Sequence, residues 1–109
     1  MANTYKVLGQ SAPSATTDTD VYTVPSATEA VISTVVIANR SVSDATYRIA
    51  VRPDGATISD EHYVAYDITV GAGDSTALTL GITMNAADVL TVQASSADLS
   101  FSVFGSEIS

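Results

Sequence analysis

The side chains able to do chemistry are few and scattered. The one histidine, His62, follows Asp60 and Glu61. Histidine is the usual general base near neutral pH, and an imidazole beside two carboxylates has the composition of a proton relay or a metal cluster. A zinc site, however, needs three or four converging ligands with spaced His or Cys, and the chain has no cysteine. His62 therefore reads as an exposed residue where a loop enters a strand. Asp18-Thr-Asp20 has the alternate spacing of calcium ligands but lacks the rest of a binding loop, and reads as a solvated turn. Gly71-Ala-Gly73 is followed by neither Lys-Ser/Thr nor a helix, so it is no phosphate loop. Carboxylates are plentiful enough for a glycosidase pair, but the chain has no tryptophan to form a sugar platform. Asn39-Arg-Ser41 fits a glycosylation sequon, which has meaning only in a secreted chain. No catalytic, cofactor-binding or metal-binding residue is expected, and no enzymatic activity.

The cations say more by their position. Lys6 stands apart, whereas Arg40, Arg48 and Arg52 bracket one expected hairpin. Arg48 and Arg52 share the outward side of one strand. Arginine binds carboxylates through a rigid two-pronged fork. Two readings stay open: contact with carboxylates of a second subunit, or pairing within the chain to Asp54, Asp60 or Glu61.

The elements that hold these residues are strands. The longest apolar run, Glu29 to Asn39, is β-branched at Val31, Ile32, Val35, Val36 and Ile37, which favours extended backbone. Strict alternation puts Val31, Val35 and Ile37 on one side and Ile32, Val36 and Ala38 on the other. A strand apolar on both sides needs cover on both, and another copy of the chain could supply part of it. Thr46 to Arg52 alternates cleanly, with Tyr47, Ile49 and Val51 inward and Arg48, Ala50 and Arg52 outward. The short polar turn between these two runs predicts an antiparallel hairpin.

The remaining strands are expected at Thr4–Leu8 (Tyr5 and Val7 on one side), Val21–Val24, His62–Val70, Ser75–Leu80, Asp88–Ala94 and Leu99–Val103. Inward positions are Val64, Tyr66, Ile68 and Val70, then Leu78 and Leu80, Leu90 and Val92, and finally Leu99, Phe101 and Val103. Pro25 stops the second strand or places it at an edge. Gly71 to Asp74 forms a tight turn, and Asn85-Ala-Ala87 a short helical turn. The fold class is all-β: a single antiparallel sandwich of about 7–8 short strands, jelly-roll or immunoglobulin-like, spanning residues 1–109.

Composition sets limits on partners. The chain is 46% hydrophobic and 15% charged, which excludes global disorder. Its net charge is −8, from four Lys and Arg against twelve Asp and Glu. Nucleic acid and anionic membranes would repel such a surface. The opening residues carry no basic and apolar leader pattern, so no secretory signal is expected, and no apolar run is long enough to span a membrane. Ser and Thr dominate the polar remainder, and such a surface costs little to bring against a neighbour.

Several segments carry a resemblance. They are Tyr5-Lys-Val-Leu-Gly-Gln-Ser-Ala-Pro13, Tyr22-Thr-Val-Pro-Ser26, Tyr47-Arg-Ile-Ala-Val-Arg-Pro53, His62-Tyr-Val-Ala-Tyr-Asp67, Leu78-Thr-Leu-Gly-Ile-Thr83 and Phe101-Ser-Val-Phe-Gly-Ser-Glu-Ile108. Together they resemble small structural proteins of tailed bacteriophages, including phages of cyanobacteria. The resemblance implies a virion component, assembled in the host cytoplasm. The leading expectation is a capsid decoration (cement) protein that binds the major capsid protein on the outer face of the head, as a homotrimer. A tail, baseplate or fibre module that touches host glycans and tail proteins is the alternative. Candidate subunit-interface residues are Arg40, Arg48, Arg52, Ile32 and Val36.

Overall fold

β-Branched runs punctuated by Gly, Pro and Asp turns produce eight strands among the described residues. The computed structural model describes residues 3–109. The strands are β1 (Asn3–Ser11), β2 (Thr19–Thr23), β3 (Glu29–Asn39), β4 (Ala45–Arg52), β5 (Tyr63–Val70), β6 (Ser75–Met84), β7 (Val89–Ala94) and β8 (Leu99–Ile108). Two single 3-10 turns, Pro53–Gly55 and Asp60–His62, lie between β4 and β5.

The strands form two four-stranded sheets, in the orders β1-β8-β3-β6 and β2-β7-β4-β5. Every pairing is antiparallel. Successive strands change sheet at each step except from β4 to β5. This is the jelly-roll order, which decides between the two sandwiches expected. It also corrects the expected hairpin. β3 pairs with β6 and β8, whereas β4 pairs with β5 and β7. The Asn39–Ala45 connection spans the two sheets instead. Asn39 holds it: the buried side-chain amide donates to the Ser43 and Val70 carbonyls at 2.9 and 3.0 Å. Its carbonyl oxygen accepts from the Ser41 N–H and hydroxyl.

The core lies between the sheets. Its largest fully enclosed side chains include Tyr47, Phe101, Ile32, Ile37, Ile49, Leu90 and Leu99. Tyr47 and Phe101 meet edge to face across the gap, 6.3 Å between centroids, a favoured aromatic geometry. The expected inward sides of β4, β7 and β8 hold, since Tyr47, Ile49, Leu90, Val92, Leu99, Phe101 and Val103 are all buried, but Ala50, expected outward, is buried as well. β2 is an edge strand, as Pro25 implies. The Gly71–Asp74 turn closes with a hydrogen bond from Asp74 N–H to the Gly71 carbonyl, and Gly73 takes a φ of 66°. Asn85-Ala-Ala87 is a turn without a helix.

Bulges overturn other inward assignments. In β3, Ser33 is left without a partner in the register to either neighbour. That extra residue changes the phase, so Ala30, Ile32, Val35, Ile37 and Asn39 are the buried set. Ile32 is fully enclosed by its own chain and cannot meet a partner, contrary to its place among the interface candidates. In β5 the register shifts on both sides of Ile49, its partner Ala65 packs on the core, and Val64 and Tyr66 turn outward, Tyr66 53% exposed. Ile68 pairs with buried Tyr47 yet stays largely exposed, because β5 is a sheet edge. Leu80 lies exposed where the β6 register skips to Ile82.

Candidate functional site

The two outer faces of the sandwich differ in chemistry. On the β2-β7-β4-β5 face, β4 presents Arg48 and Arg52 outward. Arg52 joins three elements: Nη2 donates to Asp20 on β2 at 2.9 Å, Nε to Thr91 on β7 at 3.0 Å, and Nη1 to the Ala56 carbonyl at 3.0 Å. Arg48 faces the β5 bulge. Its Nε and Nη2 donate to the two Asp67 carboxylate oxygens at 2.7 and 3.3 Å, and its guanidinium lies 4.1 Å from the centroid of the Tyr66 ring. Tyr63 meets Tyr66 edge-on at 4.9 Å. Asp67 occupies the left-handed region at φ 51°, a conformation that Asp tolerates better than most residues. The hydrogen bonds from Arg48 hold its carboxyl below the ordinary carboxylate range.

Arg40 binds the turn before β8, with Nε donating to the Ser100 hydroxyl at 2.7 Å and Nη2 to the Ala97 carbonyl at 3.0 Å. All three arginines are thus engaged within the chain, two of them by Asp20 and Asp67 rather than by Asp54, Asp60 or Glu61. The reason is topological: β4 lies between β5 and β7 in the sheet order, so its outward arginines reach carboxylates from β5 and β2. Asp18 is likewise occupied, accepting from the Gln93 amide at 2.9 Å. His62 Nδ1 accepts from the Ser59 N–H at 3.1 Å and helps cap the Asp60–His62 turn. Among the described residues no three His, Asp or Glu side chains converge as metal ligands would. No helix among them is long and apolar enough to cross a membrane.

The β1-β8-β3-β6 face is built otherwise. Registered pairs run across it in rows: Gln10–Ser102–Val36–Ala77, Val7–Phe104–Thr34–Thr79 and Tyr5–Ser106–Val31–Thr83. Residues directly opposite share a side of the sheet, so each row contributes one line of this outer face. The three rows contain no charged residue. Charges lie around them: Glu29 at one end, Arg40 at the other, and Lys6 beside Tyr5, paired with Glu107. Tyr5 is 80% exposed and Val7 half-exposed. Of the interface candidates, Val36 is the one on this face. Sequence reading missed Tyr5, Val7, Phe104 and Ala77 as its companions. The available signal was the run Ser75–Met84, ten residues without a charge.

One cluster of ionisable groups closes an end of the sandwich. Glu107 on β8 accepts from the Tyr22 hydroxyl at 2.6 Å and pairs with Lys6 at 2.7 Å. The Lys6 ammonium, then the Tyr22 hydroxyl, holds the Glu107 carboxyl below its usual range. Burial, and then Glu107, pushes the Tyr22 hydroxyl well above its ordinary value. The depressed carboxyl means that the unfolded chain binds more protons as the pH falls below about 4.5. Stability from Glu107 is therefore full above that pH and lost as the pH drops through the folded-state value. The raised tyrosine works in the opposite sense, and its contribution fades as the pH climbs past about 10. Urea midpoints measured from pH 3 to 7 should flatten in Glu107→Gln. An acid limb unchanged by that substitution would contradict the role of this cluster.

No family model matches the chain, and no curated protein or solved structure matches it.

Proposed function

We propose that this chain is a structural component of a tailed-phage virion, a decoration protein that binds the outside of the head in many copies and works by contact alone. The observation that carries this reading is the uncharged outer face of β1-β8-β3-β6 in a chain of net charge −8, a surface suited to contact between subunits of a multi-copy assembly. Charged groups are depleted where surfaces meet and retained where they face water. The jelly roll supports the reading by analogy, since capsid and lectin domains use it. The resemblance described above supplies the particle. The partner is the major capsid protein, and the copies group as trimers at the threefold points of the shell. Many such contacts, each weak, add up to strong retention through multivalency. The acidic remainder of the surface keeps particles apart in solution.

A tail or fibre module with affinity for host glycans is the second reading. The exposed Tyr66, edge-on to half-buried Tyr63 and beside Arg48 and Asp67, favours it, because sugars stack on aromatic rings and bond to carboxylates. Arg48 already lies over one side of Tyr66, which limits that stacking.

Location in a density map of the whole particle tests the first reading directly. Hundreds of copies over the head are expected. A handful of copies confined to the tail, with binding on a glycan array, would replace it with the second.

A further inference from the structure

The uncharged face is graded in size. Tyr5, Val7 and Phe104 stand on its β1–β8 half, and Ser75, Ala77 and Thr79 on its β6 side. A shallow depression of about 570 Å³ opens on the large half, lined by Tyr5, Val31, Ser33, Phe104 and Gly105, with Lys6, already paired to Glu107, at its side. We propose that a second copy of this chain packs on this face, with the Tyr5–Val7–Phe104 half of one copy seated on the small-residue half of its neighbour. The inference rests on the multi-copy reading above and names the surface that joins the copies.

Charge selects the occupant. Two identical chains of net charge −8 repel one another over most approaches, and like charges brought together at an interface cost several kcal/mol. The opposite face presents Asp18, Asp20 and Asp67 beside its arginines. The rows through Val36, Thr34 and Val31 bring no charge to the contact. A basic partner would find nothing there to pair with, whereas a second copy meets its own hydroxyls and methyls.

Area agrees. Four strands about 4.8 Å apart, each with some ten residues at about 3.3 Å, make a face of roughly 600 Å². Where both halves engage one partner, the two faces come to about 1,200 Å², where specific interfaces begin; in a ring each contact buries about half of that. Tyr and Phe in that face are the residue types enriched at interface centres. Size grading makes the contact directional: large meets small. Each half then engages a different neighbour in a closed ring, or both halves engage one partner in a dimer.

Sedimentation velocity on the full chain, over a concentration series and at low and high salt, tests this. The wild-type chain should associate, and more tightly as salt screens the repulsion between acidic copies. Ala77→Glu and Val36→Glu should each weaken association by about 100-fold or more, because each buries an unpaired carboxylate in a dry contact. Ala77 is exposed, so its variant folds even if the Val36 variant does not, and circular dichroism checks both. Thr69→Glu, on the exposed β5 edge of the other sheet, should leave association unchanged. A monomer at every concentration, or association indifferent to Ala77→Glu, would overturn the inference. If that monomer still decorated shells, the decoration reading would stand without it. A chain that associates as expected but is absent from the head would keep the inference and remove the decoration reading. A dimer would keep the pairing and remove only the trimer.

Discussion

Replacing Gly105 with valine is expected to leave no soluble folded protein, and Gly105→Ala to cost more than about 3 kcal/mol, above the usual range for overpacking. Gly105 sits in β8 opposite Ile32, beside the Ser33 bulge of β3. A Cβ there would run into the carbonyl oxygen of Val31 and lie 3.0 Å from the Cα of Ile32. Both obstacles are backbone of a central strand, so neither can rotate aside as a side chain would. Domains of this kind are stable by about 5–15 kcal/mol, and a collision in mid-sheet removes a large part of that. The same close approach occurs at Gly9, where a Cβ would meet the carbonyl oxygen of Val21. Thermal melting of Gly105→Ala is the check. A wild-type melting temperature would show that β3 and β8 do not approach so closely.

Truncation of Phe101 to alanine should destabilise the chain by about 3–5 kcal/mol. The ring is 1% exposed and forms the β8 side of the contact with Tyr47. Its loss removes apolar burial and leaves a cavity between sheets that cannot collapse, because Leu99 and Val103 hold β8 at its spacing on either side. For a domain near this size each kcal/mol moves the melting temperature by about 4–8 °C, so a fall of more than about 12 °C is expected. No shift would mean that the ring is not in the core. Tyr47→Phe is the useful companion, since the Tyr47 hydroxyl is buried with no hydrogen-bonding partner.

These two residues show what could be read from the chain and what could not. Phe101 lies in a strand whose alternation is unbroken from Leu99 to Val103, so its inward place was legible. β4 was legible for the same reason: Tyr47, Ile49 and Val51 keep one phase throughout. Gly105 was not, because its importance depends on a bulge in another strand. Bulges also explain the errors in β3 and β5. A period of two carries no mark for a skipped residue, so Ile32 was placed with Val36 when the Ser33 bulge puts it with Val35 and Ile37. Strand order was beyond reach as well. The turn after Asn39 has the length of a hairpin loop, yet Asn39 uses its amide to carry the chain from one sheet to the other. As a result, the arginines found Asp20 and Asp67, which no spacing along the chain brings near them. The idea that the Glu29–Asn39 strand has an outward apolar line survived in altered form. That line runs through Val31, Val36 and Ala38, and its neighbours Tyr5 and Phe104 came from strands at the two ends of the chain.

The place of β8 governs how such a molecule is made. It lies between β1 and β3, so β1 has no bonded neighbour until β8, about ninety residues later in the chain, has been translated. β3 can pair with β6 before then, but its other edge and the whole of β1 stay unpaired until β8 slots between them. Pairings this distant along the chain close slowly. Chains still awaiting β8 present open strand edges at β1 and β3, the surfaces most prone to mispairing.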